Sequence, residues 1–154
     1  MRKYSFLLLT LALVACSQTI TGTVLRAVDG DTLKVATADG TVETIRIIGI
    51  NTPETVDPRK PVQCFGPEAS RRMHELADGK TVTLDVSGGD DRDRYHRMLR
   101  YVALDGRDLG AQMIEEGFAR NYPIFPHPRM AAYKQLQTAA KDAKRGLWEK
   151  CVKK

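Results

Sequence analysis

A chain of 154 residues with no internal repeat, low-complexity tract or long linker is read as one domain, long enough to bury a core of its own. Its net charge of +5 falls to +3 when residues 1–15 are set aside, which leaves 22 basic against 19 acidic residues. That balance permits a nucleic-acid partner without demonstrating one. The three cysteines show no C-x-x-C spacing, which excludes that class of metal motif.

The chain opens on a targeting segment. Arg2 and Lys3 precede an apolar run from Phe6 to Ala15, too short to span a bilayer. Leu13-Val14-Ala15-Cys16 is similar to a bacterial lipobox, in which the cysteine is lipidated and becomes the mature N-terminus. Cleavage after Ala15 as an ordinary secretory signal is the alternative. The expected organisation is a signal peptide over 1–15, a short linker over 16–20, a domain over 21–150 and a tail over 151–154. The protein is then exported, and is lipid-anchored at the bacterial cell envelope or secreted. In an oxidising compartment Cys64 and Cys151 are expected to form one disulfide, with two free thiols as the alternative.

Thr21–Val28 and Leu33–Thr37 read as strands joined through Asp29-Gly30-Asp31. Ala38-Asp39-Gly40 is a hairpin signal leading to a third strand, Val42–Ile50. Gly66-Pro67 opens a helix with apolar positions Ala69, Met73 and Leu76, and Gly79 stops it. Thr81–Val86 alternates, with Val82, Leu84 and Val86 expected inward. Met98–Leu104 is a fifth strand, and Asp108 caps a short helix that ends at Gly117. A last helix spans about Arg129–Arg145, with Met130, Tyr133, Leu136, Ala140 and Ala143 on its buried side. This order is α+β. Five strands point to a small closed barrel, for which the OB-fold is the nucleic-acid-binding candidate, here with about three flanking α-helices.

The third strand carries Arg46 at period two from Ile48 and Ile50, so an arginine shares a face with apolar residues. Such an arginine needs an anionic partner, either a carboxylate in a structural ion pair or a phosphate. The strand gives out at Asn51-Thr52-Pro53-Glu54, because the residue before a proline is pushed to an extended conformation. An amide, a backbone carbonyl and a carboxylate are thereby expected near one point. Asp29 and Asp31 by themselves also suit a turn.

V-D-G-D-T at Val28–Thr32, R-I-I-G-I-N-T-P-E at Arg46–Glu54, D-R-Y-H-R at Asp93–Arg97 and G-L-W at Gly146–Trp148 occur in order. From about Ile20 to Trp148 this pattern resembles the staphylococcal nuclease (thermonuclease) family. The resemblance implies a metal-dependent, sugar-nonspecific nuclease that hydrolyses phosphodiester bonds of DNA and RNA, probes the backbone rather than the bases, and leaves 3′-phosphates. It implies Ca²⁺ held by Asp31, by the position occupied by Asn51 and by the Thr52 carbonyl. Arg46 and Arg97 match its two phosphate-binding arginines, and Glu54 its proposed general base. Arg94 and Tyr95 match positions on a terminal phosphate, and Tyr122 a tyrosine that packs on a base. A monomer is expected. Where Asn51 stands the family usually has aspartate, and the loss of that charge is expected to weaken calcium binding. The competing class is a non-catalytic OB-fold module that binds nucleic acid or protein at the envelope; Asn51 favours it, while Arg46, Glu54 and Arg97 favour the enzyme. His96 replaces a glycine and is read as a solvated turn residue, and His74 and His127 are not at ligand spacing.

The lipobox reading has a direct check. Burial of acyl chains contributes about 0.8 kcal/mol per CH₂, so two or more chains hold a protein stably at a membrane. Labelled fatty acid is expected to enter the wild type and not Cys16→Ala; equal labelling, or none in either, rules the anchor out.

Overall fold

The computed structural model describes residues 20–55, 57–58, 61–86 and 88–151. The expected signal peptide, Cys16 and the end of the tail lie outside these residues. Among the described residues no helix is long and apolar enough to cross a membrane.

Three strands open the domain: β1 (Ile20–Ala27), β2 (Thr32–Thr37) and β3 (Val42–Ile47). They form an antiparallel meander, β1 to β2 and β2 to β3. After helix α1 (Gly66–Ala77) come β5 (Thr81–Asp85) and β6 (Met98–Leu104). β5 pairs with β1 and with β6, and β6 closes the barrel by pairing in parallel with β3. The five-stranded closed barrel of the sequence reading is therefore present, and closure removes the sheet edges that would otherwise invite association. Alternate positions Leu33, Val35, Ile45, Ile47, Val82 and Leu84 fill its interior.

The expected third strand, Val42–Ile50, is broken. Gly49 has φ +76°, in the left-handed region that glycine tolerates, and the chain turns there into a two-residue strand β4 (Ile50–Asn51). β4 leaves the barrel and pairs with β8 (Arg120–Asn121). A Cβ at Gly49 would lie 2.4 Å from the His127 ring, so the turn is also the place where that ring packs. His127 is thus a half-buried packing residue, hydrogen-bonded at Nδ1 to the Tyr101 hydroxyl, rather than an incidental one. The break also corrects the expected face: Arg46 points away from buried Ile45 and Ile47, and the turn swings Ile50 back into the core.

Helices cover the barrel. α1 buries Ala69, Met73 and Ala77. A short strand β7 (Arg107–Asp108) leads into α2 (Leu109–Glu115), whose first turn is capped by the Asp108 carboxylate accepting from Ala111 N–H. α3 (Met130–Asp142) buries Tyr133 and Ala140, and a one-turn α4 (Leu147–Lys150) follows Gly146. Among the described residues there are four helices where about three are expected, because the last helix stops at Asp142 and a separate turn of helix begins after Gly146. Val86 and Ala143, expected inward, are exposed: each lies just past the end of its element, where alternation no longer fixes the side.

Cys64 and Cys151 form the expected disulfide, joining the loop before α1 to the end of α4 across 87 residues. Closing a loop of this length stabilises the fold by up to about 4 kcal/mol in the chain-entropy account. The double variant Cys64→Ala/Cys151→Ala is expected to lose stability of that order in urea titration; an unchanged midpoint would show that the bridge constrains nothing the fold does not already hold.

Candidate active site

The turn between β1 and β2 carries the first residues of the site. The Asp29 carboxylate accepts from Asp31 N–H at 2.9 Å, so the expected turn is real. Gly30 lies against Thr52: a Cβ there would stand 2.6 Å from Thr52 Cγ2. Only glycine lets the turn come close enough for Asp31 to reach the start of the next segment.

Asp31 is 6 % exposed and ties three strands together. Its Oδ2 accepts from Thr52 N–H at 2.9 Å and from the Thr52 hydroxyl at 3.2 Å, and lies 3.2 Å from the Arg46 guanidinium. Its Oδ1 accepts from the Thr32 hydroxyl at 3.1 Å. Arg46 also donates to the carbonyls of Ile47 and Ile50, at 2.6 and 2.9 Å, and so braces the turn at Gly49. The anionic partner that Arg46 required is therefore Asp31. Thr52 is buried beside it, and the Asn51 side chain stands at the surface of β4.

Burial, and then the charge of Asp31 beside it, push the Asp29 carboxyl up to about 6. Two acids this close repel, and a bound cation would relieve the repulsion. The donors here are all oxygen: carboxylates of Asp31 and Asp29, the Asn51 amide and the Thr52 carbonyl. That set fits a hard dication such as Ca²⁺, and Asp31 Oδ1, with one hydrogen bond, keeps capacity for it. Among the described residues there is no cluster of three or more His, Cys, Asp or Glu side chains that could hold a metal, so any such site here includes the amide or the backbone.

The register of β3 and β6 sets the second arginine. Ile45 pairs with Met98 and Arg46 with Leu99. Arg97 lies immediately before Met98, where β6 begins beside β3. Its guanidinium bonds the Asp93 carboxylate at 2.7 Å through Nε and Nη2. Burial would raise the Asp93 carboxyl, but bonds from Arg97 and from the Tyr95 N–H outweigh it and hold the group below the ordinary range. Tyr95 is 58 % exposed beneath two guanidinium groups, Arg94 at 4.8 Å and Arg97 at 5.3 Å from its ring. His96 sits at φ +61° in this turn, exposed, as expected. Tyr122 donates its N–H to Gly49 O, which sets it beside β4, and its ring lies 6.1 Å from exposed Phe125.

Glu54 follows on the loop to α1. Its Oε1 accepts from Thr55 N–H at 2.9 Å and Asp57 N–H at 3.0 Å. Gln63 clamps its backbone on both sides: Gln63 N–H donates to Glu54 O at 2.9 Å, and Gln63 Oε1 accepts from Glu54 N–H at 3.0 Å. Gln63 precedes disulfide-bonded Cys64, so the bridge anchors the loop that carries Glu54. Gln63 does not stand out in the sequence, and Asp29 reads there as a turn residue. The doubled acid around Gly30 was a visible signal for Asp29; Gln63 had none, since its partner lies nine residues away across a loop.

A separate cleft of about 550 Å³, lined by Arg72, Glu75, Arg107, Glu115, Glu116 and Arg145, shares no residue with this arrangement and is filled with mutual ion pairs.

Residues 44–150 match the family described as Staphylococcal nuclease homologue. The chain is 41 % identical over 127 residues to the SPbeta prophage-derived endonuclease YokF of Bacillus subtilis, covering 81 % of this chain and 43 % of that protein. It is 38 % identical to endonuclease YncB of the same organism, covering 60 % of it, and 35 % identical to the thermonuclease of Staphylococcus hyicus, covering 73 %. The chain thus spans roughly half the length of the two Bacillus relatives.

Replacement of Gln63 by Ala removes one of the two bonds that Gln63 makes to the Glu54 backbone. Turnover of a phosphodiester substrate is expected to fall about tenfold or more, on the scale of a misplaced catalytic group, while nucleic-acid affinity measured with chelator present stays close to wild type. Wild-type turnover in Gln63→Ala would show that Glu54 needs no such clamp.

Proposed function

Because the chain belongs to the staphylococcal nuclease homologue family, we propose that it is a metal-dependent nuclease that hydrolyses phosphodiester bonds of DNA and RNA without regard to the sugar. The observation that supports this most is the buried Asp31 held against Arg46 and the Asn51–Thr52 peptide: an acid for a cation and a fork for a phosphate, fixed in one place. Asp31, Asn51 and the Thr52 carbonyl would hold the ion, with Asp29 adding charge behind them. When bound, Ca²⁺ supplies charge that polarises the phosphate.

The residues of the chain account for the remaining steps. Glu54 takes a proton from the attacking water, whose oxygen bonds to phosphorus as the bond to the 5′ oxygen breaks and that oxygen takes up a proton from solvent. Arg46 and Arg97 offer planar forks to the phosphate oxygens and to the charge that grows on the leaving oxygen. Arg97 exchanges part of its pairing with Asp93 for the phosphate, while Arg94 and Tyr95 take a neighbouring phosphate. Tyr122 packs on a base. Contacts to the backbone carry no sequence information, so base selectivity is low. Export and an acyl anchor on Cys16 would place this activity at the cell envelope, with the protein acting as a monomer.

The second reading, a module that binds nucleic acid or protein without cutting, is favoured by Asn51 alone. Calcium titration of cleavage separates the two. Asn51 brings no charge, so activity is expected to require more Ca²⁺ than in Asn51→Asp, while Glu54→Gln loses turnover and keeps binding. If the wild type shows no chelator-sensitive cleavage and Asn51→Asp restores it, the chain is the binding module. If Asn51→Asp changes nothing, Asn51 does not hold the ion.

A further inference from the structure

β4 and β8 form a ladder of two pairs, and Asn51 stands directly opposite Arg120. Residues opposed in an antiparallel pair put their side chains on the same face, about 4.5–5.5 Å apart at Cβ. Arg120 is therefore the immediate neighbour of the residue next to Thr52 and Asp31. It is exposed, and its guanidinium lies 4.7 Å from the centre of the Trp148 ring. Lys141, exposed on α3, brings its ammonium to 4.6 Å from the same ring. The indole is fixed by its place in α4, immediately after buried Leu147.

These two cations lack, among the described residues, the carboxylate partner that most arginines of the fold have. Arg72, Arg92, Arg97, Arg100 and Arg129 each bond a carboxylate. Among the described residues neither Arg120 nor Lys141 has an acidic partner within ion-pair distance. A cation–π contact positions a cation but leaves its charge uncompensated, since the ring carries only a quadrupole. Two positive charges are thus held on one aromatic platform at the open edge of the site, with no anion supplied by the described part of the chain.

We propose that Arg120 and Lys141, seated on Trp148, form a second phosphate-binding site that takes a backbone phosphate of the polynucleotide beyond the one being cut. This rests on the nuclease reading, because the scissile phosphate is what lies at Arg46 and Asp31. From there a strand passing Asn51 meets Arg120 first and Lys141 after it, so the pair lengthens the track along which the substrate is held. A substrate with a single phosphodiester cannot fill both positions.

The test is the salt dependence of binding of a thymidylate 12-mer, with chelator present so that nothing is cleaved, for wild type, Arg120→Gln, Lys141→Gln and the double variant. For single strands the slope of log K against log salt is expected to flatten by about 0.7 per cation removed. In cleavage assays KM for the 12-mer is expected to rise more than KM for a mononucleotide nitrophenyl phosphodiester, and Arg120→Lys should keep most of the slope. Thermal melting of each variant reports any loss of packing on Trp148. Unchanged slopes in variants that fold and cleave would overturn the second site and leave the nuclease reading intact, as would equal KM losses on both substrates. A wild type that neither binds the 12-mer nor cleaves it removes the nuclease reading and the site with it.

Discussion

The contact on which the site depends is the buried carboxylate of Asp31 with the Thr52 backbone N–H and the Arg46 guanidinium. These groups come from the start of β2, the end of β3 and the exit of β4. A buried carboxylate left unpaired is costly, and a buried arginine equally so. Each is tolerable here because the other is present and because both also bond neighbouring hydroxyls or carbonyls. The pair therefore fixes the angle at which the chain leaves the barrel, with Asn51 at the surface and Thr52 buried beside Asp31. Gly30 and Gly49 are the conditions for it, one by close approach and the other by a left-handed turn.

Charges in this molecule fall into two kinds. Most arginines satisfy a carboxylate and close a surface, as in the Arg72–Glu116 and Arg92–Glu43 pairs, where exposure keeps the contribution to stability small. Others lie where the proposed substrate phosphate would pass. Arg46 and Arg97 are held by acids that are themselves braced, so their geometry is preset before any phosphate arrives. Preset donors lose little in reorganisation when charge develops. Arg120 and Lys141 achieve the same fixity with an aromatic surface in place of an acid, which leaves their charge available.

The loop that carries Glu54 shows how a proposed catalytic position can depend on a distant covalent link. Gln63 holds the Glu54 backbone, Cys64 holds Gln63, and Cys151 at the far end of the chain holds Cys64. An irregular loop has few ladder bonds of its own, and a side-chain clamp anchored by a disulfide substitutes for them.

How much was legible in the sequence follows from the range of the interactions. Periodicity is local, so the barrel strands, the start of α1 and the Asp108 cap could be read from it, and β6 was placed to the residue. Four short motifs in register named the family and Arg46, Asp31, Glu54 and Arg97 with it. The breaks were less visible. Val42–Ile50 is continuous in hydrophobic pattern, and only the packing of His127 on Gly49 and the pairing of β4 with β8 divide it. Two-residue strands such as β7 and β8 bury too little to leave a pattern. The sequence by itself determined which chemical groups are present and the order in which the chain delivers them, because motif and period depend on near neighbours. Only the tertiary structure decided that Arg46 pairs with Asp31, that Gln63 holds Glu54 and that Arg120 faces Asn51. Those contacts join residues 9 to 69 positions apart, and nothing but the closing of the barrel and the docking of its helices brings them together.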